Sequence, residues 1–241
     1  MRPFLLLATR PEDHLAAAEW DAIRRFAGLG EGALHHHRLE RAPLPPIDLA
    51  DWSGIIIGGS PFNTSDPEKS AVQVRVEAEL AALLDEVIDR DFPLLGACYG
   101  VGTLGVHRGG VVDRTYGEEA GAVPVTLTPT GRADPLFDGF PDTFEAYVGH
   151  KEAVARLPED AVLLASSPAC PVQAFRVGRN VYATQFHPEL DAAGIVDRVT
   201  AYRQDGYFPA ADFDTVVARL RAADATHPPR LLANFARRYA R

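Results

Sequence analysis

The segment Pro93-Leu94-Leu95-Gly96-Ala97-Cys98-Tyr99-Gly100-Val101-Gly102 sets one cysteine in a frame of small residues. An apolar run leads into it and a helical stretch is expected after it. That is the layout of a nucleophile elbow: glycines on either side permit a tight turn, and a helix N-terminus favours the thiolate form of a cysteine. A thiol needs a base, and Gln185-Phe186-His187-Pro188-Glu189 offers one. His187 would take the thiol proton and later deliver it to a leaving amine, while Glu189 would fix the tautomer and orientation of the imidazole. Gly58-Gly59-Ser60-Pro61, after three isoleucines, lets backbone N–H groups approach a ligand. Acyl transfer needs such donors where the tetrahedral oxyanion forms. Each piece also has a plain structural reading: a buried cysteine at a glycine-rich turn, a histidine capping a strand, a glycine pair leaving a strand.

These residues need elements that carry them to one place. Phe4 to Ala8 reads as a strand, His14 to Gly28 as a helix, Ala33 to Leu39 as a strand, and Gly54 to Gly58 as a fully buried strand. Asp66-Pro67 has the cap-and-proline chemistry of a helix start, and Val76, Leu80, Leu83, Leu84 and Val87 then share one helical face. Phe92 to Ala97 returns as a buried strand. Strand and helix alternate, so we expect an α/β fold in three layers, with a mostly parallel central sheet and helices on both faces. Runs at 110–114, 123–128, 144–148, 161–165, 172–177 and 181–185 predict an antiparallel extension. Helices are expected again from about Asp191, with a terminal one over Leu231 to Tyr239.

The 241 residues are 46% hydrophobic and 24% charged, enough apolar material for a core without disulfides or metal. No linker or repeat divides them, so one domain over 1–241 is expected. A formal charge of −9 argues against nucleic-acid partners. No apolar run is long enough to span a bilayer, and the N-terminal apolar stretch is short for a secretory signal, so a cytoplasmic setting is expected. There the two cysteines, Cys98 and Cys170, are read singly, Cys170 as a loop or packing residue. His35-His36-His37 looks like a metal cluster, but alternate strand residues face opposite ways and no carboxylate or cysteine stands nearby at ligand spacing. No metal site and no cofactor are expected.

In order along the chain, Gly58-Gly59, Gly96-Ala97-Cys98-Tyr99-Gly100 and His187-Pro188-Glu189 resemble the signature of the class I glutamine amidotransferases, and the glutaminase portion of GMP synthetase in particular. Gly149-His150-Lys151-Glu152 resembles the family's S-H-x-D segment. The resemblance covers roughly residues 45–190 and leaves a helical extension over about 191–241. It implies Cys98 as nucleophile, His187 as base and acid, and Glu189 as its orienting partner. The N–H groups of Gly59 and Tyr99 would form the oxyanion hole, with Gly58, Ser60, Gly100, Gly102 and His150 around the substrate. It implies hydrolysis of the glutamine carboxamide through a cysteine thioester, without a cofactor. One departure stands out. The family usually has glutamine four residues after the nucleophile, where this chain has Gly102, so either another residue seats the substrate or the substrate is not plain glutamine, and the space expected to open near Cys98 would suit a larger γ-glutamyl amide. The fifty or so residues after Glu189 are too few for a synthetase domain, and no phosphate loop is present. Ammonia is thus expected to pass to a separate synthetase. The alternatives are a stand-alone γ-glutamyl amide hydrolase and a non-catalytic binding protein that keeps the fold.

Overall fold

A computed structural model describes residues 2–241. In chain order the elements are β1 (Phe4–Ala8), α1 (Asp13–Phe26), β2 (Leu34–Arg38), β3 (Gly54–Ile57), α2 (Ala71–Asp89), β4 (Leu94–Ala97) and α3 (Tyr99–His107). Then come β5 (Val111–Asp113), β6 (Glu118–Leu127), α4 (Pro129–Ala133), β7 (Thr143–His150), β8 (Ala153–Arg156), β9 (Ala161–Ser166), β10 (Ala174–Val177) and β11 (Val181–Thr184). Helices α5 (Ala192–Ala201), α6 (Phe213–Ala222) and α7 (Pro229–Tyr239) close the chain.

A nine-stranded sheet runs β2-β1-β3-β4-β11-β10-β9-β6-β7. The stretch from β2 to β11 is parallel, and from β11 onward the pairs are antiparallel. The parallel strands β1, β3 and β4 are buried along their whole length, which is why they read as continuous apolar runs rather than alternating ones. Alternate residues serve two cores. Leu6, Ile56 and Leu95 pack with Ile23 of α1 and with Leu231, Leu232 and Phe235 of α7. Leu5, Leu7, Ile55, Ile57 and Leu94 pack with Val76, Leu80 and Leu84 of α2 and with Val101 and Leu104 of α3. The expected three-layer α/β architecture with an antiparallel extension is the one found. A third core joins Tyr147 of β7 to Ile195, Val199, Val216 and Leu220, holding α5 and α6 over that end of the sheet.

Two details differ from the expectation. Helix α2 starts at Ala71, not at Asp66-Pro67, and Ser70 caps it by accepting the Gln73 N–H at 3.1 Å. The Asp66 carboxylate instead accepts the Asn63 side-chain amide at 3.1 Å and pairs with Arg114 at 2.7 Å, so it closes a turn. The second is that β5 pairs with β8 in a separate two-stranded sheet. Strand β8 and helix α4 carry periodicities too short to stand out from their surroundings.

Candidate functional site

The expected site residues gather at the C-terminal ends of neighbouring parallel strands, where the loops of an open α/β sheet leave a crevice. Gly58, Gly59 and Ser60 follow β3, Cys98 follows β4, and Gln185 to Glu189 follow β11. Strand β4 lies between β3 and β11, with Gly96 beside Ile57 and Ala97 beside Thr184. Adjacent strand ends thus bring together residues far apart along the chain.

Cys98 has φ 53° and ψ −87°, a conformation that side-chain-bearing residues rarely adopt and that persists only where surrounding structure enforces it. The enforcement is visible. The Cys98 N–H donates to the Thr184 carbonyl at 2.7 Å, and its carbonyl accepts the Val101 N–H at 3.0 Å, starting α3. A Cβ on Gly96 would stand 2.9 Å from the Gly100 Cα, so a glycine at 96 is needed for β4 and α3 to meet this closely, whereas a Cβ on Gly100 would make ordinary contact with Ile57 at 3.6 Å. The amides of Gly59 and Tyr99 have no protein acceptor among the described residues. The Gln185 side-chain amide approaches the Cys98 Sγ at 3.9 Å.

His187 is buried, and its Nδ1 lies 2.8 Å from Glu189 Oε1. The carboxylate accepts there, so Nδ1 carries the proton and Nε2 is the working nitrogen. Burial works to lower the imidazole pKa, but the charge of Glu189 and the presence of Cys98 outweigh it and lift His187 to about 9. Burial likewise opposes ionisation of Glu189, and His187 and Arg198 overcome it, holding that carboxyl well below the usual range. At neutral pH His187 is therefore an imidazolium. If its proton is the one delivered to a leaving amine, kcat/KM falls on the alkaline side with an apparent pKa near 9. Glu189→Gln removes the charge that retains the proton, so in a pH–rate profile the alkaline limb moves to lower pH. A limb that stays in place would separate Glu189 from the titrating group. The same shift affects stability. The folded value exceeds the unfolded one, so this contribution is complete below about pH 6.5 and disappears as pH rises through about 9.

A chain of buried charges stands behind the histidine, and no local pattern in the sequence announces it. Arg198, on α5, donates to Glu189 Oε1 at 3.0 Å and reaches Glu19 Oε1, on α1, at 3.4 Å. The Arg198 guanidinium also lies 3.1 Å from His187 Nδ1, but a protonated Nδ1 cannot accept, so its hydrogen bonds go to the carboxylates. Arg10, two residues past β1, donates from Nε to the same Glu19 oxygen at 3.0 Å and from Nη1 to the Tyr202 hydroxyl at 3.4 Å. These side chains also explain the glycine pair. A Cβ on Gly58 would meet Glu19 Oε2 at 2.7 Å, and one on Gly59 would meet Arg10 and, at 3.0 Å, the His187 Cε1.

The remaining expected residues have definite surroundings. Ser60 accepts the Phe62 N–H at 3.0 Å and borders the space in front of Cys98. His150 is buried with both ring nitrogens engaged, Nδ1 at 2.9 Å from the Glu152 carbonyl and Nε2 at 2.9 Å from Glu118 Oε2. Its ring therefore braces the wall of the crevice. Gly102 requires a correction. The space expected beside it is filled, because a Cβ there would lie 2.9 Å from both Glu152 Oε1 and Thr64 Oγ1. Glu152 clasps the 62–66 loop, accepting the Thr64 and Ser65 N–H groups at 2.7 Å each. Installing the family's side chain with Gly102→Gln would break this clasp, with an expected stability loss of roughly 1–3 kcal/mol on thermal unfolding and no gain in turnover. An unchanged Tm would mean that the loop yields freely.

Among the described residues, one trio brings metal-ligating atoms within 4.8 Å of one another: Glu118, His150 and Cys170. Its donors are already committed, Glu118 to His150, Gln173 and Ser167, and burial pushes the Cys170 thiol up to about 12. A neutral thiol is a poor ligand, so the trio fits a braced core better than a metal. His35 packs edge-on against Trp52 at 5.3 Å. Among the described residues no helix is long and apolar enough to cross a membrane.

Comparisons with known proteins give the family and the fold. Residues 34–194 match the model of the family described as glutamine amidotransferase class-I. A glutamine-hydrolyzing GMP synthase of Thermosipho africanus is 29% identical over 149 residues, 61% of this chain. That match takes in 26% of the relative, so this chain accounts for about a quarter of it. In Thermoplasma acidophilum the relative is named as one subunit of glutamine-hydrolyzing GMP synthase. It is 35% identical over 150 residues, covering 60% of this chain and 68% of that protein. In fold, the crystal structure of a glutamine amidotransferase from Thermotoga maritima superposes with a TM-score of 0.78 at 20% identity, covering 99% of this chain and 98% of that one.

Proposed function

Since this chain belongs to the class I glutamine amidotransferases, we propose that it hydrolyses the side-chain carboxamide of glutamine through a thioester on Cys98. One observation carries the reading: Cys98, His187 and the Glu189 behind it meet at the ends of adjacent parallel strands, and the amides of Tyr99, directly after the cysteine, and of Gly59, after the neighbouring strand β3, lack an acceptor among the described residues. In this reading the Cys98 Sγ attacks the carboxamide carbon, and the imidazolium charge beside it is the setting in which a cysteine reacts as thiolate. The Gly59 and Tyr99 N–H groups receive the oxyanion. His187 passes its proton to the departing nitrogen as the C–N bond breaks, and ammonia leaves. The neutral imidazole then takes a proton from water, which cleaves the thioester and frees glutamate. Glu189 stays ionised and holds the ring throughout.

The ammonia would pass to a separate synthetase. Support for that partner comes from relatives named as one subunit of GMP synthase, in which the match spans about two-thirds of the protein. The test is glutamate release from glutamine, together with mass-spectrometric mapping of the adduct left by a glutamine-mimicking diazo-ketone. The expected result is turnover and a single adduct on the Cys98 peptide. Absence of both, alone and with a co-purifying synthetase, rejects the reading.

A further inference from the structure

Two cavities meet at Cys98, sharing Ser60, Gly149 and Tyr207 in their walls. One, about 330 Å³ counting its mouth, is lined by Asn63, Gly102, Lys151 and Gln185 and is the polar side on which the glutamyl group would lie. The other, about 430 Å³ on the same measure, holds His187 and Arg10 among Val148, Ile195, Tyr202 and Tyr207. His187 borders only this second cavity. The group that protonates the leaving nitrogen must face it, so whatever that nitrogen carries lies in the second cavity, beside Arg10.

Ammonia needs no cation beside it. Arg10 is 2% exposed, and its Nε and Nη1 are bonded to Glu19 and Tyr202. Its Nη2 has no protein acceptor among the described residues and sits against Gly59, and Arg10 forms part of the second cavity's wall. A buried guanidinium with a free N–H at a cavity wall is a ready partner for a carboxylate, and the aliphatic and tyrosine surfaces around it accept a small side chain. We propose that this cavity binds the carboxylate of a leaving α-amino acid, so that the protein also hydrolyses γ-glutamyl amino acids. The inference rests on the Cys98 reading given above and extends it to the leaving group. The balance is simple. The Cys98 sulfur displaces the amino acid as the γ-amide C–N bond breaks, His187 supplies the amine proton, and water cleaves the thioester, giving glutamate and the free amino acid.

The test compares three substrates of the intact protein by glutamate release: glutamine, γ-glutamylglycine and γ-glutamylmethylamide, the last two differing only in the carboxylate. Wild-type kcat/KM is expected to favour γ-glutamylglycine over the methylamide by about 10- to 100-fold, the range for a hydrogen bond to a charged group. Arg10→Gln is expected to lower all three activities through the Glu19 network and, in addition, to bring the glycine-to-methylamide ratio close to one, an outcome that a merely structural role for Arg10 would not produce. Should the variant fail to fold, the wild-type ratio still decides, and equal kcat/KM for the pair overturns the inference. Cys98-dependent glutamine turnover without γ-glutamylglycine turnover overturns it too, while leaving the glutaminase reading intact. Loss of all three activities together with the diazo-ketone adduct overturns both.

Discussion

Replacing Cys98 with alanine is expected to lower glutamate release from glutamine by on the order of 10⁴- to 10⁶-fold, the scale on which removal of a nucleophile acts when the other parts of a triad cannot work without it. Hydrogen bonds from the amides of Gly59 and Tyr99 and the bound geometry would account for the residue of activity. The fold should persist. Alanine keeps the Cβ and carries the same backbone strain at φ 53°, and the Cys98 side chain is only partly buried, so Tm should move little. Cys170 cannot take over, because burial raises its thiol to about 12 and it borders neither cavity at Cys98. Turnover by Cys98→Ala near the wild-type level would move the chemistry elsewhere, and unfolding on circular dichroism would make the elbow structural.

Glu19→Gln is expected to cost about 3–5 kcal/mol of stability, because it leaves Arg10 buried without a carboxylate and takes one of two from Arg198. For a chain of this size that is a fall in Tm of roughly 6–20 °C at about 2–4 °C per kcal/mol. The fitting control is Arg25→Gln. Arg25 pairs with Asp191 at 2.9 Å, but both side chains are well exposed, and loss of such a pair is worth about 0–1 kcal/mol. Equal Tm values for the two variants in thermal melts would show that the Glu19 network carries no more than a surface pair. The effect on catalysis should follow from position. Arg198 would keep its bond to Glu189 but lose its second anchor, so kcat should fall more than KM rises.

The candidate triad was legible because each member sits in a local pattern that needs no distant partner to be recognised. A buried strand running into Gly96-Ala97-Cys98-Tyr99-Gly100 fixes the turn chemistry by itself, and the close approach of Gly96 and Gly100 is a short-range steric demand. The alternation of apolar runs and amphipathic helices likewise fixed the layers, since a strand buried on both faces and a helix with one apolar face have few ways to pack. The start of α2 was misplaced because Asp66-Pro67 and Ser70 both have capping chemistry, and the choice fell to Asp66's bonds with Asn63 and Arg114.

By itself, then, the sequence determined the α/β layering, the elbow and the residue types of the candidate triad, all of which depend on neighbours within a few positions. Only the tertiary structure decided what surrounds them. Glu19 and Arg198 are 179 positions apart, and on their own helices each reads as an ordinary solvated charge. Folding places them beneath the site, where charges removed from water must find partners, and so links Arg10, Glu19, Arg198 and Glu189 to His187. Gly102 makes the same point from the other side. A missing side chain read along the chain as open space, but whether space exists depends on Glu152 and Thr64, which arrive there from other elements.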